Sequence, residues 1–257
     1  MKHKIHLKRT ALFTVLAVFI TVGVVVAGHP WSTYHWARTA NPFSLKLGDN
    51  VSTAWDAYLT EASSDWSLSS VLDTNVIAGS SSPRTCKAKL GQVAVCNAKY
   101  GSTGWLGVAS ISTNSSNHIT QGTVKLNDTY FNTKTYNTPA WRRLVTCQEI
   151  GHTLGLDHQD EVTTNSNLGT CMDYTNNPVG PLSNEHPNAH DYDELELIYA
   201  HSDTTTTVGQ AILQGSRLND VKGIGKGIRK DKKGRNVLHE RDLGNGEKVI
   251  TFIFWVD

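Results

Sequence analysis

The sequence predicts an α+β domain in which a mixed β-sheet is backed by one helix and carries a second helix beneath it. Three observations support that expectation. Apolar residues recur at helical spacing over 51–59, two β-prone runs cover 105–111 and 119–126, and Thr138-Pro139 opens a capped helix. The chain has 257 residues, 39% hydrophobic and 18% charged, enough to bury one sizeable core without a disulfide scaffold.

Before the first element, Lys2, Lys4, Lys8 and Arg9 precede an uncharged apolar run from Ala11 to Ala27, and small residues lead into Gly28. Residues 1–27 therefore read as a secretory signal peptide, and the mature chain is expected to be secreted. An uncleaved anchor is the alternative, because the run is little shorter than the roughly 20 apolar residues that cross a bilayer. Without those four cations, 20 basic residues face 23 acidic ones. So small a charge excludes the broad basic face that nucleic acid requires, and no later segment is apolar enough for stable membrane insertion. A monomer is expected.

Val51, Ala54, Trp55, Tyr58 and Leu59 share one face of a helix that would back the sheet. Trp105–Ile111 and Ile119–Leu126 read as strands, with Asn117, Asn127 and Asp128 marking turns. A helix runs from Pro139 to about Leu154, and a shorter one covers 191–200 with Tyr192, Leu195, Ile198 and Tyr199 inward. Asp203 and the threonines after it read as a linker. The domain is thus expected over 28–202, with a β-rich extension over 203–257 that ends in the apolar strand Val249–Val256. Four cysteines follow the signal, suiting two disulfides in an oxidising compartment. Of three connectivities, Cys86 with Cys96 and Cys147 with Cys171 closes the shortest loops.

The chemistry concentrates in Gln148-Glu149-Ile150-Gly151-His152-Thr153-Leu154-Gly155-Leu156-Asp157-His158. Positions 148 and 152 lie one helical turn apart and face one way, so both side chains reach one metal ion. Glu149 lies beside them, placed to accept a proton from water. Gly155 permits a left-handed stop, and the turn brings His158 back to the same point. Three protein ligands with one open position are the arrangement of a catalytic zinc site.

This run resembles the metzincin signature of zinc peptidases, His-Glu-x-x-His-x-x-Gly-x-x-His, with Gln148 in place of the first histidine. Met172 in Cys171-Met172-Asp173-Tyr174 resembles the Met-turn beneath the metal. Tyr174 resembles the tyrosine that in some branches binds zinc or stabilises the oxyanion, and the 191–199 segment is similar to the last helix of matrixin domains. The resemblance implies a zinc-dependent endopeptidase that acts on peptide or protein substrates, with Gln148, His152 and His158 as ligands and Glu149 as general base. It further implies that substrate lies extended along the 105–111 strand. Gln148 is a weaker donor than imidazole for zinc. An inactive relative that binds peptide or metal is therefore the alternative. Pro83-Arg84-Thr85-Cys86 faintly resembles an inhibitory cysteine switch, but pairing with Cys96 competes with it. The few residues between Ala27 and a strand near Tyr34 leave little room for a propeptide.

Other signals are set aside. The glycines of 222–227 lack phosphate-loop spacing and read as linker. The basic residues Lys226, Arg229, Lys230, Lys232, Lys233 and Arg235, with Lys222 before them, read as a solvated face or hairpin turn, with attachment to an anionic surface such as cell wall or lipid as the alternative, and His186, His190 and His201 as surface residues.

Overall fold

A computed structural model describes residue 1 and residues 28–210 and 223–256, so the expected signal peptide, and Lys222 of the basic run, lie outside the described residues. Among the described residues no helix is long and apolar enough to cross a membrane. The α+β expectation holds: one mixed sheet carries the molecule, with helices against it.

Strands β1 (His35–Trp36), β2 (Phe43–Asn50), β3 (Leu72–Ala78), β4 (Gln92–Ala98), β5 (Trp105–Thr113) and β6 (His118–Asn127) belong to the expected domain. Along the sheet the order is β3-β2-β4-β6-β5, continued by the strands of the tail. β2, β3, β4 and β6 run parallel, whereas β5 is antiparallel to β6. β1 lies parallel to the first residues of β6, with His35 beside His118. In β2 the inward Phe43, Leu45 and Leu47 alternate with the exposed Ser44 and Lys46, the period of a half-buried strand.

A parallel β2–β3 pair needs a crossover, and α1 (Asp56–Trp66) supplies it, turning Leu59, Ala62, Ser63 and Trp66 inward. The helix starts later than its periodicity suggests. The Trp55 N–H donates to the Ser52 carbonyl at 2.7 Å, closing a turn, and the Trp55 indole donates to Asp128 at 2.9 Å. A short α2 (Asp128–Phe131) follows β6, capped by Asn127.

α3 (Pro139–Thr153) begins as expected, with the Thr138 hydroxyl accepting the Trp141 N–H. α4 (Ala189–Ile198) opens with a reciprocal cap between Asn188 and Asp191, and buries Leu195. Trp66 of α1 is fully buried and donates its indole N–H to the Cys147 carbonyl of α3 at 3.1 Å, locking the two helices together. Disulfides join Cys86 to Cys96 and Cys147 to Cys171, the second tying α3 to the turn that carries Met172.

The tail strands β7 (Lys226–Lys230), β8 (Asn236–Gly244) and β9 (Glu247–Trp255) continue the same sheet. β9 pairs antiparallel with β5 from Trp105 opposite Trp255 to Thr113 opposite Lys248. Val249, Ile250, Phe252, Ile253 and Phe254 are thereby buried in the sheet, as an unbroken apolar run requires. Residues 203–207 are not a free linker: Asp203 N–H donates to Arg38 and Thr207 N–H to Ala37, both at 2.9 Å.

Candidate active site

α3 brings Gln148, Glu149 and His152 to the centre of the molecule, where Glu149 and His152 are each 1% exposed. Gly155 ends the helix with φ +103°, and a Cβ there would lie 2.5 Å from the Tyr34 carbonyl oxygen. Only glycine satisfies both constraints. The chain then doubles back and sets His158 against His152, with the two Nε2 atoms 3.0 Å apart.

Each donor around this pair is committed outward. His152 Nδ1 lies 2.9 Å from the Leu156 carbonyl, which accepts only, so Nδ1 carries the proton and Nε2 is bare. His158 Nδ1 faces Glu161 Oε1 at 3.2 Å and donates likewise. Gln148 donates its Nε2 to the Cys171 carbonyl at 2.6 Å, leaving Oε1 buried without a partner. The two Nε2 atoms and the unpartnered Gln148 Oε1 face one another in a buried site. Nitrogen and oxygen donors gathered in this way could hold a cation.

Glu149 accepts the Ala109 N–H of β5, and its Oε2 is buried and unpartnered. Burial pushes its carboxyl well above the ordinary range, and the Ala109 N–H offsets part of that. His152 is held well below its ordinary value by burial and then by the neighbouring His158. Tyr174 places its ring 4.2 Å from the His158 ring, with its hydroxyl buried and unpartnered. Met172 forms the floor: it is fully buried, and a Cβ at Gly151 would lie 2.6 Å from its Sδ. Cys86, bonded to Cys96, lies in a separate small cluster with Ala94.

Sequence reasoning missed four contributors. Gly107 of β5 makes room for Glu149, because a Cβ there would lie 2.4 Å from Oε1; an isolated glycine inside a strand was its signal. Trp31 lies edge-on to His152 with ring centroids 6.0 Å apart. Phe252 of β9 stacks on the His152 ring at 3.8 Å and 18°. Arg229 of β7, assigned to a solvated face, makes a two-pronged pair with Asp157 at 2.6 and 2.7 Å and reaches Glu161 at 3.0 Å. Burial raises the Asp157 carboxyl, but these bonds outweigh it and hold it below its ordinary value. The open edge expected for substrate along β5 is also corrected: β9 occupies it.

The chain matches no family model and no curated protein. Among solved structures it is similar to one described as "Structure of myroilysin", at 13% identity and TM-score 0.40, covering 68% of this chain and 100% of the other. A second, "Crystal structure of myroilysin", is 13% identical at TM-score 0.38, covering 67% and 89%.

Proposed function

We propose that this chain is a secreted zinc-dependent endopeptidase of the metzincin type, in which Gln148 Oε1, His152 Nε2 and His158 Nε2 hold the metal. The observation that carries the proposal is the convergence of His152 Nε2 and His158 Nε2, 3.0 Å apart, with the unpartnered buried atoms Gln148 Oε1, Glu149 Oε2 and Tyr174 Oη. Zinc bound there supplies a Lewis acid that polarises a carbonyl and lowers the pKa of water. The protein's own groups do the rest. Glu149, its basicity raised by burial, takes a proton from water at Oε2 and passes it to the leaving amine. The Tyr174 hydroxyl, with no partner to give up, donates to the oxygen on which negative charge develops. Peptide or protein substrates suit this chemistry.

The test is zinc content together with hydrolysis of a labelled protein substrate, for wild type, Glu149→Gln and Gln148→His. Zinc bound by all three, with turnover lost by at least about a thousandfold in Glu149→Gln alone, supports the peptidase. Turnover unchanged in Glu149→Gln refutes it. Zinc bound without turnover in any form assigns the site to metal or peptide binding alone.

A further inference from the structure

We propose a second metal site, formed by His35, His118, His201 and Asp203, that binds zinc in a closed tetrahedral cage and serves the fold. The four residues come from three places: β1, the start of β6, and the segment after α4. Their tips converge on Asp203 Oδ1, which lies 3.4 Å from His35 Nε2, 3.3 Å from His118 Nε2 and 3.7 Å from His201 Nε2. His201 Nε2 is in turn 3.2 Å from His35 Nε2.

These separations suit a ligand cage. A charge-assisted N–H···O bond closes to about 2.7–2.9 Å. Ligands on a tetrahedron with bonds of about 2.0–2.1 Å lie about 3.3–3.4 Å apart. The four separations, 3.2–3.7 Å, lie near that edge length, and the ligand atoms of His35, His118 and Asp203 are all within 4.8 Å of one another.

The outer contacts agree. His35 Nδ1 lies 2.8 Å from the Thr33 carbonyl, so the proton sits there and Nε2 presents a lone pair to a carboxylate. Asp203 Oδ2 is held by the Arg38 guanidinium at 2.9 Å and the Arg38 N–H at 3.1 Å, which turns Oδ1 toward the imidazoles. Orienting contacts of this kind are usual behind metal ligands. Four protein ligands leave no open position, which marks the site as structural. It would clasp β1 and β6 to the chain leaving α4. His201, with 52% of its side chain exposed, is the ligand through which metal enters.

No part of the peptidase proposal is needed for this one. The test is zinc content of the full chain after dialysis in metal-free buffer, for wild type, His118→Ala, His201→Ala and His158→Ala, with cobalt substitution as a spectroscopic check. Each of His118→Ala and His201→Ala should hold one zinc fewer than wild type and lose the tetrahedral cobalt absorption of that site, whereas His158→Ala should lose a different equivalent. Because His201 is half-exposed, its truncation leaves packing intact, and a circular dichroism melt verifies the fold. Equal zinc in wild type, His118→Ala and His201→Ala overturns the site, whatever the active site binds.

A different observation carries a second inference, which rests on the peptidase proposal: we infer that the tail strands hold the active site closed. Extended peptides bind such sheets by adding a strand at an edge. β9 holds that position on β5, Phe252 covers His152, Phe254 meets Tyr174 edge-on at 5.3 Å, and Arg229 fastens the loop at Asp157 and Glu161. A substrate reaches Glu149 only when β9 leaves. For the test, a site for a specific protease is inserted between Gly209 and Gly223 of the full chain. Cutting turns the departure of β9 into a dissociation that dilution favours. In metal-free protein, acylation of His152 and His158 by diethylpyrocarbonate should then be at least about tenfold faster than in the uncut chain; hydrolysis by the zinc form should rise in parallel. Equal acylation rates before and after cutting overturn the closure. Faster acylation without hydrolysis keeps the closure and overturns the peptidase proposal.

Discussion

Replacing Gly151 by alanine tests how tightly α3 sits on its floor, because two effects of opposite sign compete. Glycine in a helix interior costs about 1 kcal/mol relative to alanine, so propensity alone makes the variant more stable. Against that, the new Cβ would lie 2.6 Å from Met172 Sδ and 2.7 Å from Trp66 Cζ2, about 1 Å inside normal contact. Neither neighbour retreats easily. Trp66 is fully buried and its indole is bonded to the Cys147 carbonyl; Met172 is fully buried, its N–H bonded to Thr170 and its carbonyl to Gln159. Overpacking of this kind costs about 1–3 kcal/mol. We expect a net loss of up to about 2 kcal/mol in urea unfolding followed by tryptophan fluorescence. A helix displaced by about 1 Å also misplaces Glu149 and His152, and about a hundredfold of turnover should go with it. A variant that is more stable than wild type by about 1 kcal/mol would refute the close packing of α3 on Trp66 and Met172.

Thr138→Ala removes the hydroxyl that accepts the Trp141 N–H and should cost about 1 kcal/mol by the same unfolding measurement, with zinc content unchanged. Asp173 supplies a pH dependence: burial pushes its carboxyl up to about 6, against the Leu168 N–H and the Asn184 amide that draw it down. The folded state then holds that proton more tightly than the unfolded chain. Its contribution is fully present below about pH 4 and is lost as pH rises through 6, a change of about 2–3 kcal/mol. Asp173→Asn should therefore gain on wild type between pH 4 and 6.5 and run parallel to it above; a constant difference across that range would exclude the raised carboxyl. Gln148→His exchanges a neutral amide oxygen for imidazole and should tighten zinc by about tenfold or more in chelator competition. Unchanged affinity would remove Gln148 from the ligand set.

The parts of the fold that were legible carry local signals. Thr138-Pro139 announces α3, the 148/152 spacing gives its active face, and Gly155 its end. β3 was not legible, because Leu72-Asp73-Thr74-Asn75 has the polarity of a loop. Its buried Thr74 hydroxyl is bonded by Ser63 of α1 and by Ser67 at the C-cap of that helix. The apolar run of β9 announced a buried strand but not its neighbour, since its pairing with β5 spans more than 130 residues and no local rule sets the register. Arg229 looked solvated for the same reason: Asp157 and Glu161, the charges that hold it, lie some 70 residues away.

At both proposed metal sites the ligand atoms were open to sequence reasoning to different degrees, and the cause is the same. A side chain becomes a ligand when its donor is committed elsewhere. Here most of the groups that commit it are backbone carbonyls: Cys171 for Gln148, Leu156 for His152 and Thr33 for His35. Every residue offers a carbonyl, so these orienting contacts leave no mark on composition or spacing. The site on α3 was found because Gln148 and His152 lie one helical turn apart, with Gly155 and His158 following in register. His35, His118, His201 and Asp203 have no such interval, being brought together by a parallel strand pair and by the return of the chain after α4. A cluster assembled that way has no signature until the fold is known.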